Sequence, residues 1–187
     1  KISWAWEHRK TTMGNRALPG TEPDTNCCRV IFSEADGFPG LIVDRYENVL
    51  VAQVGTVGME RLRNVIYPLL LKILSEDGQV IDGIYERNDS PSRLKEGLSQ
   101  YKGWWTGASL DENSLATKTS LTLPSTHVFA TENGLKFNLD LENSQKTGFF
   151  LDQKYNRRAV RQLARGRRVL DCFCHVGPFG LNAAAGG

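Results

Sequence analysis

Downstream of Cys28 the apolar positions fall into short alternating runs. "RVIFSE" (29–34) and "LIVDRY" (41–46) read as strands joined by the turn "ADGFPG" (35–40). "EN" (47–48) turns the chain into "VLVAQV" (49–54), which completes an antiparallel meander. The period then changes. In "GMERLRNVIYPLLLKILSEDG" (58–78) apolar residues at 62, 65, 66, 69, 70, 73 and 74 share one helical face, and Gly78 is placed to end the helix. "QVIDGIYER" (79–87) returns to strand. The stretch 88–120 is polar and glycine-rich and predicts no regular element. "THVFATENGLKFNLDL" (126–141) is a hairpin, because Asn133-Gly134 supplies the positive φ angles of a two-residue turn.

The two ends differ from this middle. Residues 1–26 have no clean period, and "LPGTEPDTN" (18–26) reads as a linker or surface loop. After Ser144 the pattern becomes helix, strand, glycine turn and helix. "FFLDQKYNRRAVRQLARG" (149–166) predicts a helix with Asp152 as N-cap, Val160 and Leu163 inward and Gly166 as C-cap. "RRVLDCF" (167–173) predicts a strand, and "GPFGLNAAAGG" (177–187) opens a helix. This order is the start of a doubly wound sheet. The expected boundaries are therefore a linker or remnant over 1–27, a central α+β domain over 28–143, and the start of an incomplete α/β domain over 144–187. A lone strand at 167–173 exposes unpaired edges, so 144–187 is expected to pack irregularly on the central domain or to pair with a second copy.

Composition and charge add little until they are divided along the chain. The net charge of +2 splits unevenly, with −4 over 1–143 and +6 over 144–187, where 8 Lys/Arg face 2 Asp/Glu. A basic stretch such as "KYNRRAVRQLARGRR" (154–168) suits a polyanionic partner, although a solvated helix face has the same composition. No apolar run is long enough to span a bilayer, and the first ten residues lack a secretory pattern. The 4 cysteines lie in two close pairs, Cys27–Cys28 and Cys172–Cys174. Their spacing fits neither a disulfide framework nor the common zinc patterns, so they read as reduced thiols of a cytoplasmic protein.

Two stretches carry candidate chemistry. In 169–187 a strand feeds a helix through a glycine turn, which leaves backbone N–H groups at the strand's carboxyl edge, where ligands bind in such sheets. Gly177 lets the backbone approach a ligand, Gly180 and Ala183–Ala185 allow close helix packing, and Asp171 stands at the strand tip as an acceptor. The spacing is not G-x-G-x-x-G, so the dinucleotide fingerprint is absent, and a structural turn without a ligand fits the same residues equally well. In "SQKTGFFLDQKYNRR" (144–158) the polar residues Gln145, Lys146 and Thr147 precede Phe149 and Phe150. The two rings are core residues, or they wall a ligand pocket whose polar groups orient the ligand.

Taken in order, "EADGFPGLIVDRY" (34–46), "IYERND" (84–89), "EGL" (96–98), "NGLKFNLDL" (133–141), "QKTGFFLDQ" (145–153) and the 169–181 motif closely resemble one family. It is the class I S-adenosylmethionine-dependent methyltransferases of large-subunit ribosomal RNA that make 5-methylcytosine. The resemblance covers about residues 27–187. It implies an N-terminal PUA domain, of which 1–27 is a remnant. It also implies an α+β central domain (antiparallel sheet with helix) followed by the first helix–strand–helix of a Rossmann-like α/β methyltransferase domain.

Residue by residue, the resemblance assigns Gln145, Lys146, Thr147, Phe149, Phe150 and Arg157 to the cofactor site, with Asp171, Phe173 and Gly177 around the methionine part of S-adenosylmethionine. Cys174-His175-Val176 and Pro178 depart from the usual family residues. The implied chemistry adds a cysteine thiolate to C6 of cytosine so that C5 accepts the methyl group, after which a base removes the C5 proton. That cysteine is expected beyond residue 187, so no catalytic residue falls in this chain and the fragment is expected to be inactive alone. Cys172 and Cys174 are not assigned the role. Ribosomal RNA is the implied partner, with no membrane and with a homodimer among the options. An RNA- or protein-binding module, and a class I methyltransferase with another target, are the alternative readings.

Overall fold

The computed structural model describes residues 1–12, 24–107 and 123–187. Its centre is a five-stranded sheet in the order β1-β2-β3-β4-β5. The strands are β1 (Cys27–Phe32), β2 (Leu41–Tyr46), β3 (Val49–Val54), β4 (Gly83–Asn88) and β5 (Tyr101–Trp104). β1, β2 and β3 form the expected antiparallel meander, with β1 beginning two residues earlier than its sequence pattern suggests and ending before Ser33. The sheet is not wholly antiparallel. α2 (Val57–Glu76) carries the chain back across the sheet, so β4 pairs with β3 in parallel. β5 then adds antiparallel to β4.

The sheet is covered on both sides, and alternation along β3 shows how. Leu50, Ala52 and Val54 point to a layer formed by α1 (Ile2–Thr12) and α2, together with Trp6, Tyr67 and Leu70. Val49 and Val51 point to the opposite layer, where Tyr46, Tyr85 and Phe149 pack against the hairpin β6 (His127–Glu132) and β7 (Leu135–Asp140). A strand buried on both faces reads as an almost continuous apolar run, which explains "VLVAQV". The hairpin turn has Asn133 at φ 53° and Gly134 at φ 75°, the left-handed pair that its two-residue connection requires.

The first residues, whose sequence shows no clean period, are regular. They form α1, which lays Ala5 and Trp6 against β1. Residues 18–23 of the expected linker lie outside the described residues. Of the stretch 88–120, residues 88–107 hold the short helix α3 (Ser92–Lys95) and β5, and 108–122 lies outside the described residues. Polar anchors explain what periodicity missed. The Arg93 Nη1 donates to the Val54 carbonyl and to Glu60 (3.0 Å), and the Tyr101 hydroxyl donates to the buried Glu86 (3.1 Å). In α2 the expected apolar face is rotated. Ile66, Leu70 and Leu74 are buried with Tyr67, whereas Leu62, Val65 and Leu69 face water. Met59, Leu71 and Ile73 pack beside that buried row, so the helix touches the core along its length but on a turned face.

After β7 the structure departs from the expected helix–strand–helix. A short 3₁₀ turn, Leu151–Gln153, leads into α4 (Lys154–Leu163), so Asp152 precedes the helix and makes no cap. α4 buries Lys154 and Arg157, while Leu163 is exposed and Val160 only half-buried. Residues 167–173 are not a strand. Val169, Leu170 and Phe173 are exposed, because no described strand lies alongside to accept their ladder hydrogen bonds. α5 (Pro178–Ala184) follows and packs mainly on α4, with a smaller contact to β7; Ala183 is buried, and Ala184 and Ala185 are exposed.

The rotated face of α2 has a direct test. Leu70→Ala should cost about 3 kcal/mol, the usual loss for a fully buried leucine. Leu62→Ala should cost less than about 1 kcal/mol. Urea unfolding of the two variants measures the difference, and equal losses would restore the face expected from periodicity.

Candidate functional site

The buried end of β2 organises the candidate site. Asp44 lies inside the protein and receives a two-pronged donation from Arg29 (Nε 2.8 Å, Nη2 3.0 Å). The Thr147 hydroxyl donates to the same carboxylate at 2.5 Å. Two residues along β2, the Tyr46 hydroxyl accepts from the Phe149 amide (3.0 Å) and donates to its carbonyl (3.2 Å). Burial, and then the charge of Asp44, push the Tyr46 phenol well above its ordinary range, so it remains a neutral donor. Gly148 passes Tyr46 at φ 142°, and a Cβ there would lie 3.0 Å from Leu141 Cδ2. Only glycine fits this crossing. On β4, the Arg87 Nη1 donates to the Leu141 carbonyl (2.6 Å) and to that of Ser144 (3.0 Å), fixing the start of the same segment.

Three of the expected site residues are therefore interior. Thr147 is bound to Asp44, and Phe149 packs on Phe137 with ring centroids 5.1 Å apart. Arg157 is 1% exposed. Its guanidinium lies 4.1 Å from the Phe149 ring centre and 5.7 Å from that of Phe179. The Arg157 Nη1 donates to both oxygens of Glu132 (2.7 and 3.0 Å), and Nη2 donates to the Phe150 carbonyl (2.8 Å). Burial raises the Glu132 carboxyl above the usual range, and donation by Arg157 opposes that shift. Buried arginine thus ties the hairpin to α4, α5 and the backbone of Phe150.

Another group of expected residues meets at the surface. Phe150 is half-buried, with the Lys146 ammonium 4.8 Å from its ring centre and the His175 ring edge-on at 6.3 Å. His175 (φ 50°) and Gly177 (φ 76°) form the turn before α5. Asp171 accepts the Gly180 amide at 3.1 Å. A carboxylate has further acceptor capacity, so this contact leaves Asp171 able to accept from a ligand. Gln145 is exposed at the start of the segment, and Phe173 is almost wholly exposed and touches none of the others. The polar segment and the glycine turn, 25 residues apart from Phe150 to His175, thus share one edge.

Sequence reasoning missed Asp44, Tyr46, Arg87 and Glu132. An acid inside the apolar strand "LIVDRY" and another immediately before the Asn-Gly turn were the available signals, since a charge in such a place needs a buried partner. Cys27 and Cys28 are buried, and burial pushes the Cys27 thiol well above its ordinary range. Cys172 and Cys174 are exposed. Among the described residues no group of His, Cys, Asp or Glu converges as a metal site, and no helix is long and apolar enough to cross a membrane.

Comparison with known proteins follows this geometry. Residues 120–187 match the family model of S-adenosylmethionine-dependent methyltransferases, whose cofactor is S-adenosylmethionine. The chain is 39% identical over 159 residues to ribosomal RNA large subunit methyltransferase I of Shewanella frigidimarina, and 38% identical to the protein of that name in Photobacterium profundum. Each alignment covers 85% of this chain and 35% of the relative, so the chain spans about a third of the length of the curated relatives it matches. Among solved structures, one assigned as a SAM-dependent methyltransferase from Streptococcus mutans superposes with TM-score 0.70 at 21% identity. Another, a methyltransferase assignment solved with SAH, gives 0.71 at 20%. Both cover all of this chain, which occupies 41% and 40% of theirs, and at these identities they show a shared fold.

Removing one partner of the Glu132–Arg157 pair leaves a buried charge. Glu132→Gln should lose about 3 kcal/mol in urea unfolding, and Glu132→Leu combined with Arg157→Met should recover much of it. A single variant as stable as the parent would show that the pair is not the tie between hairpin and α4.

Proposed function

We propose that this chain is part of an S-adenosylmethionine-dependent enzyme that methylates large-subunit ribosomal RNA at C5 of a cytosine. The observation that carries the reading is the meeting of Phe150 and Lys146 with His175 at the glycine turn, with Asp171 beside α5. The similarity to large-subunit methyltransferases over 85% of the chain supports the RNA target. The division into a remnant over 1–27, a central domain over 28–143 and the start of a catalytic domain over 144–187 belongs to the same proposal.

The residues at this edge fit the cofactor. Asp171 would accept from an amine or hydroxyl of the ligand, and the half-buried ring of Phe150 offers an apolar wall. Gly177 keeps the turn open to close approach, while Lys146 and Gln145 stand at the rim. When bound, S-adenosylmethionine supplies an electrophilic methyl group on a sulfonium centre. Thr147, Phe149 and Arg157 act from the interior, holding the backbone of 147–150 and the carbonyl of Phe150 at the edge. The nucleophilic thiolate required for C5 chemistry is placed outside the 187 residues, and the chain alone has no methyltransferase activity.

Isothermal titration with S-adenosylhomocysteine tests the cofactor edge. Asp171→Ala should weaken binding by about tenfold or more, the usual effect of losing a charge-assisted hydrogen bond. Phe150→Ala should weaken it by a similar factor, and Phe173→Ala should leave it within about twofold. Transfer of labelled methyl from S-adenosylmethionine to large-subunit RNA by the 187-residue chain itself would overturn the inactivity.

A further inference from the structure

Beyond the cofactor edge, one face of the protein combines a row of arginines with an aromatic groove. α4 and the turn after it carry Arg158, Arg161 and Arg165 at i, i+3 and i+7, hence on one side of the helix. With Asn133, Gln162 and Asp24 they line an open cavity of about 500 Å³. Among the described residues Asp24 is the one acid lining it, and none of their carboxylates forms an ion pair with any of the three arginines. Arg161 donates to the Asn133 carbonyl at 3.1 Å, which holds it against the hairpin turn.

An adjoining groove of about 370 Å³ has a different character. Trp4, Phe32, Cys27, Cys28 and Leu151 give it apolar walls. Its arginines are already engaged, Arg9 with Asp36 at 2.6 Å and Arg29 with Asp44 at 2.8 Å. Two large rings nevertheless remain in water. Trp4 is 60% exposed and stacked on His8 at 5.7 Å, and Phe32 is 49% exposed with the Arg29 guanidinium 5.1 Å from its centre. The two cavities meet at the hairpin end. Glu132 lines the groove and Asn133 the arginine cavity, and the Asn133 Nδ2 donates to the carbonyl of Lys154, itself a groove residue one helical turn from Arg158.

We propose that this face docks a single-stranded RNA segment, with phosphates along Arg158, Arg161 and Arg165 and an unstacked base in the groove between Trp4 and Phe32. Charge complementarity sets the class of occupant, since three arginines beside a single described acid, none of them ion-paired with a described residue, attract a polyanion. The exposed rings then select among polyanions. Stacking on aromatic faces accepts any unpaired base, whereas a duplex keeps its bases inside and uses only the arginine row. None of the residues lining the two cavities belongs to the cofactor edge. The proposal rests on the ribosomal RNA reading and adds the face on which the RNA lies.

The test is fluorescence anisotropy of a labelled, mixed-sequence single-stranded RNA of about 20 nucleotides with the 187-residue chain, across a salt series. Arg158→Glu/Arg161→Glu/Arg165→Glu should weaken binding about 100-fold near 0.1 M salt and lower the slope of log affinity against log salt by about 2. Trp4→Ala/Phe32→Ala should weaken it about tenfold with the slope unchanged, and should leave duplex RNA binding unaltered. Arg158→Gln and Arg165→Gln, both at exposed side chains, give a milder version should the charge reversal disturb folding. Parent-like binding by the arginine and aromatic variants overturns the proposal. So does an aromatic variant that weakens duplex and single strand alike, or a parent chain that binds no single-stranded RNA. Titration of the same samples with S-adenosylhomocysteine distinguishes the two failures, because an intact cofactor edge with no RNA binding removes the docking face and leaves the methyltransferase reading standing.

Discussion

The architecture after β7 depends on a carboxylate buried in the middle of a strand. Asp44 cannot keep its charge inside the sheet without partners, and it finds them in Arg29 on the neighbouring strand and Thr147, 103 residues along the chain. Tyr46 repeats the arrangement two positions on, exchanging hydrogen bonds with both backbone groups of Phe149. The side chains at 44 and 46 lie on the same face, so together they fix a segment that has no strand or helix of its own. Breaking either contact would leave a buried polar group unsatisfied, which is why a loop can be held as firmly here as a regular element.

Rigidity passes outward from that anchor. The segment 147–150 carries Phe149 into the core and sets the Phe150 carbonyl in front of Arg157. Arg157, neutralised by Glu132 and flanked by the rings of Phe149 and Phe179, joins the hairpin to both helices of the C-terminal part. The half-buried Phe150 then meets the turn that leads into α5. Interior residues thus support the candidate site, and Lys146, Asp171 and Gly177 are the ones left at its surface.

The basic C-terminal stretch also resolves into two parts in three dimensions. Arg157 is held inside the protein, whereas Arg158, Arg161 and Arg165 lie along one side with no acid paired to them among the described residues. Composition counts all of them alike. Helical geometry separates them, because a step of one residue turns the side chain by about 100°.

Elements with local signals were legible in the chain before any fold was known. The meander 41–54, the helix that follows it and the Asn133-Gly134 hairpin stand where alternation, period and turn chemistry put them. Whatever depends on a distant partner emerged only in three dimensions. β3 and β4 pair in parallel because α2 crosses the sheet, and residues 1–12 form a helix because β1 offers a face for Trp6. The "VLDCF" stretch illustrates the converse. It has the composition of a strand, yet a strand exists only through hydrogen bonds to a neighbour, and no described strand lies beside it. At the site, the motif residues were legible as letters. Which of them face inward and which lie at the surface followed from Asp44, Tyr46 and Glu132, whose partners lie as far as 103 residues away and leave no periodic trace.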